Sequence, residues 1–179
     1  GSVEVSAGGE TTTTQVSGVT PDYGPVRNMV VTEGEFIREE HILGRASVVL
    51  LGPDVAVRLL GRTEGLVGET MRIEGQPFTV LGVLESKGGS GFSNQDDQIL
   101  VPLTTAQTRL LRRSSRDRID LLIVQAASAN EVPKTSSEVA QIPRTRHRSA
   151  IGADDFTVLT QQDFLDTART ITSILTIFL

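Results

Sequence analysis

The sequence predicts an α+β fold in which short strands and short helices are mixed. Short β-branched runs alternate with short helical patterns, and the chain has no heptad or other internal repeat. Six Phe, one Tyr and no Trp leave Val, Ile and Leu to build the core, which favours a sheet-rich interior. Mixed short elements of this kind are typical of α+β domains. The 179 residues suffice for one ordinary domain or two small ones.

Strand patterns dominate the first half of the chain. The strands predicted there are, in order, residues 3–6, 12–19, 47–51, 71–73, 78–84 and 99–101. Gly8 and Gly9 separate the first two runs and predict a turn. Glu74 and Gly75 lie between the fourth and fifth runs, which is the pattern of a β-hairpin.

Three short helices are predicted between these strands. They cover residues 21–28, 53–60 and 106–112. Pro21 suits the first turn of its helix, and Gly61 can end the second helix in a left-handed cap. Thr104 and Thr105 are predicted to cap the start of the third helix.

The second half of the chain contains fewer clear elements. Residues 119–125 are its strongest strand candidate, and residues 155–160 predict a final strand. Residues 132–142 predict a helix that ends at Pro143, because proline lacks a backbone donor and clashes with the preceding turn.

The C-terminal segment has a helical apolar period. From Gln161 onward the apolar residues that fit a 3.6-residue spacing are Phe164, Leu165, Ala168, Ile171 and Leu175. Residues 171–179, ITSILTIFL, are apolar and uncharged. A membrane-spanning helix needs about 20 such residues, so this stretch is either the start of one or the last turns of a buried helix.

Composition excludes several classes of function. The net charge of −5 argues against a nucleic-acid partner, because phosphate binding needs a broad excess of Lys and Arg. The basic residues that do cluster lack interleaved aromatics and indicate a solvated face: Arg112, Arg113, Arg116, Arg144, Arg146, His147 and Arg148. The absence of Cys excludes disulfides, thiolate zinc sites and a Cys nucleophile.

The stretch KGGSGFSNQDD at residues 87–97 has glycines that resemble a phosphate loop and an acidic pair that resembles a metal site. Lys87 precedes the glycines, whereas a phosphate-binding P-loop places its lysine after them. Asp96 and Asp97 are adjacent and lack the alternating spacing of a calcium loop. We therefore predict a mobile, exposed loop between two strands.

No catalytic, cofactor-binding or metal-binding residue is predicted anywhere in the chain. His41 and His147 each lack a second His at metal-ligand spacing. Asp154 and Asp155 are adjacent carboxylates, which point apart on a strand. The chain also lacks a G-x-S-x-G nucleophile motif. We therefore expect that the chain is not an enzyme.

Several stretches of the sequence, taken in order, resemble a known protein family. The phrases are VSGVTPDYGPVRNMVVTEGEFI at 16–37, VVLLGPDVAVRLLG at 48–61, VGETMRIEGQPFTVLGVLESKG at 67–88, QDDQILVPLTTAQTRL at 95–110, RHR at 146–148 and DDFTVLTQQDFL at 154–165. Together they resemble the extracytoplasmic (periplasmic) core domain of MacB-type ABC transporter permeases. The sequence departs from the family pattern at Pro143, where the family's helix usually continues without proline, and it has less chain ahead of the first phrase.

The resemblance implies a non-catalytic domain that relays ATP-driven movement of membrane helices to substrate export or other extracytoplasmic work. The implied partners are an ABC nucleotide-binding domain or subunit, a second permease copy, a periplasmic adaptor (membrane fusion protein) and the membrane through flanking helices. ATP and Mg²⁺ would be bound by the separate nucleotide-binding domain, with no cofactor in this one. The implied location is the extracytoplasmic side of the inner or cytoplasmic membrane, periplasmic or at the cell surface.

The resemblance also implies a division into two mixed α/β subdomains. Residues 1–34 and 116–170 are expected to form a porter-like subdomain, and residues 35–115 a smaller inserted one. Residues 171–179 would start a transmembrane helix. Two other functions remain open from the sequence: a secreted ligand- or peptide-binding module that uses the loop at 87–97, and a hydrolase with an unrecognised site.

Overall fold

The computed structural model describes residues 1–88, 94–110, 119–147 and 156–163. The chain divides into two compact units, Gly1–Ile123 and Val124–Leu179. Within the described ranges no helix combines the length and apolar character that crossing a membrane requires.

The first unit contains a sheet that closes on itself. Its strands are β1 (Ser2–Ala7), β2 (Glu10–Val19), β3 (Val31–Gly34), β4 (Val48–Leu51), β5 (Thr70–Ile73), β6 (Gln76–Leu84) and β7 (Gln98–Pro102). The hydrogen-bonded order is β3-β6-β4-β7-β2-β1-β5, and β5 also pairs with β6. The six strands β6, β4, β7, β2, β1 and β5 therefore form a closed ring, while β3 lies outside it against β6. A closed sheet leaves few free edges.

Within the described ranges, three short helices lie between the strands and a fourth follows β7. They are α1 (Tyr23–Val26), α2 (Glu39–Leu43), α3 (Pro53–Leu60) and α4 (Leu103–Thr105), which continues as a π-helical stretch, Ala106–Leu110. In the second unit a 3-10 turn, Ala129–Glu131, leads into α5 (Val132–His147). Residues 161–163 are also helical.

Alternation along the central strands creates two apolar cores. Val49 and Leu51 of β4 face a cluster that fills the ring, whereas Leu50 between them faces a second cluster on the outside. The ring cluster includes Phe78 and Met71, both almost fully buried. Successive side chains of a strand point to opposite faces, so both faces of β4 are covered by apolar residues.

The strand and turn predictions for the first half are confirmed within one or two residues. Helix α3 ends where predicted, and Gly61 adopts φ 68° in a left-handed cap. The β5–β6 hairpin turns at Glu74 and Gly75, with φ 49° and 75°, as a two-residue turn of this kind requires.

The strand predicted at residues 119–125 is wrong. The structure assigns residues 121–126 no regular secondary structure, and no described strand pairs with this segment. Leu121 and Leu122 are 72% and 70% exposed. Apolar β-branched character favours a strand only where a neighbour accepts its backbone hydrogen bonds. The final strand predicted at residues 155–160 is also absent among its described residues, 156–160.

The prediction that Pro143 ends its helix is wrong as well. Helix α5 passes through Pro143 and continues to His147. Proline removes the donor for a single carbonyl, that of Val139, so the turns on both sides keep their own hydrogen bonds. Ile142 is 61% exposed, which places solvent beside this part of the helix.

The threonines predicted as helix caps have another role. Helix α4 begins at Leu103 with no side-chain cap. The Thr104 hydroxyl donates to the Ile42 carbonyl at 2.6 Å, and the Thr105 hydroxyl donates to the Ala46 carbonyl at 2.8 Å. The two threonines therefore hold the end of α2 and the segment after it against α4.

The observed strand pairing does not follow the subdomain boundary predicted between residues 34 and 35. Strands β1 and β2 come from the segment 1–34, yet they pair with β5 and β7 from the segment 35–115. The ring cannot close without strands from both segments, so this boundary lies inside one sheet. The expected pairing of residues 1–34 with 116–170 in a porter-like subdomain remains a prediction.

Candidate functional site

The described ends of the loop at 87–97 are held together by one carboxylate. Asp96 is only 6% exposed. Its Oδ2 accepts hydrogen bonds from the Ser86 hydroxyl at 2.5 Å and the Gly88 backbone N–H at 3.1 Å, and its Oδ1 accepts from the Lys87 N–H at 2.8 Å. We call these four residues the Asp96 clasp. The loop predicted to be mobile covers residues 87–97, of which residues 89–93 lie outside the described ranges.

The hydrogen bonds of the clasp explain the ionisation of Asp96. Burial alone would raise the pKa of this carboxyl, but donation from Ser86, Lys87 and Gly88 favours the charged form, and the net pKa lies below the ordinary value of 3.8. Asp96 is therefore a buried carboxyl whose charged form is stabilised by three hydrogen-bond donors.

The second aspartate of the pair is also engaged. Asp97 accepts a hydrogen bond from the Thr14 hydroxyl at 2.7 Å and forms an ion pair with Arg58 of α3. Asn94 donates to the Asp54 carboxylate at 2.7 Å. The base of the loop is thus attached to β2 and to the start of α3. Because both aspartates accept hydrogen bonds from other residues of this chain, the described geometry supports a structural role for the pair.

The structure brings together one group that sequence spacing did not reveal. Ligand atoms of Glu35, Glu40 and His41 lie within 4.8 Å of one another. However, Glu35 forms an ion pair with Arg38, and His41 Nδ1 accepts the Arg38 backbone N–H at 3.0 Å. A neutral imidazole that accepts at Nδ1 carries its proton at Nε2, and so offers no free nitrogen to a metal. Metal-bound histidines show the opposite polarity, with the second nitrogen donating.

The other basic and acidic residues singled out from the sequence do not form a described site. Arg144 lies 6.0 Å from the centroid of the Phe156 ring, within the second unit. The side chains of Arg146 and His147, and all of Arg112, Arg113, Arg116, Arg148, Asp154 and Asp155, lie outside the described part of the structure.

Two open concavities flank the edge strand β3. The first, of about 500 Å³, is lined by Val31 and Gly34 of β3 together with Pro25, Met29 and Phe36 among others. The second, of about 470 Å³, is lined by Thr32, Glu33, Thr63, Glu64 and Gly65. The first is mainly apolar and the second is acidic. Among the described residues that line them, neither concavity pairs a nucleophile with a base.

The chain is similar to a known protein family. The chain matches the family described as the MacB-like periplasmic core domain over residues 1–142. The chain belongs to that family. It is therefore a periplasmic core domain of an ABC transporter permease, an extracytoplasmic part of a membrane protein.

Individual relatives agree with this assignment. The macrolide export ATP-binding/permease protein MacB of Bdellovibrio bacteriovorus is 36% identical over 152 residues, which are 84% of this chain and 23% of that protein. The chain thus spans about a quarter of the length of the curated relatives it matches.

Solved structures show the same α+β fold. The periplasmic region of MacB from Actinobacillus actinomycetemcomitans has a TM-score of 0.71 at 18% identity, covering 94% of this chain and 72% of that one. The extracellular domain of the noncanonic ABC-type transporter YknZ from Gram-positive bacteria has a TM-score of 0.65 at 20% identity, covering 84% and 73%. At these identities the likeness concerns the fold.

Proposed function

We propose that this domain relays ATP-driven movement of membrane helices to export or other work on the extracytoplasmic side, without catalysing a reaction itself. The observation that carries the proposal is the family match over residues 1–142. Relatives of this chain carry the name of a macrolide export ATP-binding/permease protein.

The first unit has the physical properties that a relay needs. A closed ring of strands cannot open at an edge, and its interior is filled by almost fully buried residues such as Leu51, Phe78 and Ile99. Close-packed interiors have low compressibility and transmit displacement with little loss. The proposed role therefore treats the ring as a body that moves as a whole.

The partners follow from the same proposal. ATP and Mg²⁺ would bind to a separate ABC nucleotide-binding domain or subunit. A second permease copy would supply the opposing domain, and flanking helices would connect each domain to the membrane. A periplasmic adaptor, or membrane fusion protein, would receive the movement in transporters that use one.

The described side chains support a non-catalytic role. Asp96 is a buried ionisable group, but its two oxygens are occupied by donors from Ser86, Lys87 and Gly88. Active sites usually hold titratable groups whose shifted pKa leaves them free to exchange a proton with a substrate. Here the donors that lower the pKa of Asp96 also join the two described ends of the loop.

Distance measurements in the intact transporter test the relay. The chain has no Cys, so Glu10→Cys would place one spin label on each copy of the domain, at the exposed first residue of β2. We expect the distance between the two labels to differ between the ATP-bound transporter and the transporter trapped in a hydrolysis state.

A second label pair supplies the control. Glu10→Cys and Glu39→Cys are both exposed positions of the first unit, and their mutual distance should stay constant if the ring moves as one body. An unchanged distance between copies throughout the ATP cycle would contradict the relay.

A further inference from the structure

The edge strand β3 has a side that no described strand covers. Strand β6 pairs with β4 along one side, and on its other side it pairs first with β5 and then with β3. β3 pairs with β6 alone among the described strands, so its second edge presents backbone N–H and C=O groups outward. Thr32 and Gly34 are exposed there. Such an edge is a template for pairing with another chain.

An irregularity in β3 directs its side chains to two different faces. The register with β6 shifts between Val31 and Glu33. Val31 lies opposite Leu84 and Gly34 opposite Gly82, whereas Glu33 lies opposite Val83. Leu84 and Val83 belong to the outer and the ring clusters respectively, so the faces of β3 diverge in the same way. A bulge re-aims side chains in this manner.

Each face of the edge opens into its own concavity. The apolar concavity lies beside Val31 and Gly34 and is lined by Pro25, Met29 and Phe36. Its rim carries Glu35 and Arg38, which pair with each other and leave the rim neutral. An apolar side chain would enter this concavity at the lowest cost in desolvation free energy.

The acidic concavity has the opposite chemistry. Glu33 and Glu64 line it, and neither forms an ion pair with a residue in the described part of the chain. One Glu33 oxygen accepts the Leu66 backbone N–H at 3.3 Å, which orients the carboxylate. Thr32 and Thr63 also line it, and the Thr32 hydroxyl donates to the Val83 carbonyl at 3.2 Å. Two uncompensated carboxylates favour a Lys or Arg side chain.

We propose that the free edge of β3 docks an extended segment of a partner protein in which apolar and basic residues alternate. The segment would add a strand beside β3, with backbone hydrogen bonds to Val31–Gly34. Side chains of an added strand alternate between faces, so neighbouring residues of the partner would enter the apolar and the acidic concavity in turn. The alternation, and not overall charge, would give the specificity.

A peptide-binding experiment tests this docking edge. The probe is a short blocked peptide of alternating valine and lysine, added to the full chain and followed by amide chemical shifts and by fluorescence anisotropy. The expected result is saturable binding with the largest shifts at residues 31–34. A peptide with the same residues but N-methylated backbone should bind much more weakly, because it cannot complete the strand ladder.

Charge variants distinguish binding at the acidic concavity from attraction to the overall negative charge of the chain. The double variant Glu33→Gln with Glu64→Gln should weaken binding about fivefold, as expected for two partly exposed charge pairs. Glu10→Gln makes the same chemical change at the exposed first residue of β2 and should leave the affinity unchanged.

Three results would overturn the proposal. They are the absence of saturable binding, equal binding of a peptide that alternates valine and glutamate, and shifts centred away from β3. Equal weakening by the Glu10 variant would also overturn it, since binding would then follow net charge alone.

Discussion

Replacing Asp96 by Asn removes the charge of the Asp96 clasp while keeping the shape of the side chain. Asp96 is 6% exposed and receives hydrogen bonds from Ser86, Lys87 and Gly88. Asn keeps one carbonyl oxygen, which can accept from the Lys87 N–H. Its NH₂ group replaces the oxygen that accepts from Ser86 and Gly88.

The expected loss of stability follows from these contacts. The Ser86 hydroxyl can rotate to accept from the new NH₂ group, but the Gly88 N–H cannot and loses its acceptor. Leaving a buried donor unpaired costs about 1–3 kcal/mol, and hydrogen bonds to a carboxylate are stronger than those to an amide. We therefore expect Asp96→Asn to lower the free energy of unfolding by about 2 kcal/mol. Asp96→Ala strands all three donors and should cost about 4 kcal/mol.

Urea denaturation followed by circular dichroism measures these differences. Asp22→Asn is the matched control, since Asp22 is exposed and its side chain makes no cap hydrogen bond. The control should change stability by less than about 0.5 kcal/mol. If Asp96→Asn were no more destabilising than Asp22→Asn, the clasp would not hold the loop and this reasoning would be refuted.

The acid dependence of stability gives a second readout of Asp96. Its pKa in the folded chain is lowered from 3.8, since the donors of the clasp outweigh burial. A lowered pKa contributes stability that is present above the unfolded value and is lost as the pH falls through the folded value. Between about pH 5 and about pH 2, wild type should therefore lose more stability than Asp96→Asn. Parallel losses in the two proteins would contradict the assignment.

Three further predictions concern other parts of the chain. Gly52→Ala would place a Cβ 2.3 Å from the Asp96 carbonyl oxygen, so it should cost at least about 2 kcal/mol in urea denaturation; wild-type stability would contradict this. Pro143→Ala should increase helicity and favour the helix by up to about 3 kcal/mol, whereas Pro133→Ala, in the first turn of α5, should gain less; equal gains would show that the interior position does not matter. The isolated chain should hydrolyse no ATP, and turnover that survives repurification and disappears on a single substitution would refute that.

Local features of the fold were predictable from the sequence because neighbouring residues determine them. Gly61 ends α3 in a left-handed conformation, and Glu74-Gly75 forms a two-residue turn, as the residue types at these positions favour. The closing of the ring was not predictable in this way. It depends on the pairing of β2 with β7, which joins Val16 to Ile99 across a long stretch of chain.

The candidate sites also combine features that the sequence indicates with features that only the folded chain shows. The sequence drew attention to Asp96, but only the folded chain reveals that its oxygens are filled by Ser86, Lys87 and Gly88. The two concavities at β3 combine residues from separate segments, such as Glu33 with Glu64, and no spacing in the sequence marks them. The strand predicted at residues 119–125 is absent because apolar, β-branched character favours a strand without supplying a pairing partner.

The relay is tested most directly by loosening the connection that the sequence predicts between domain and membrane. Inserting Gly-Gly near Thr170, within the helix predicted from Gln161 onward, should weaken it by about 1 kcal/mol per glycine, while an Ala-Ala insertion changes the length equally and keeps helix propensity. In the full-length transporter we expect Gly-Gly to preserve ATP hydrolysis but to reduce extracytoplasmic output well below that of the Ala-Ala variant. If hydrolysis and output stayed fully coupled with Gly-Gly, a stiff connection would not carry the movement, and the proposed relay would be contradicted.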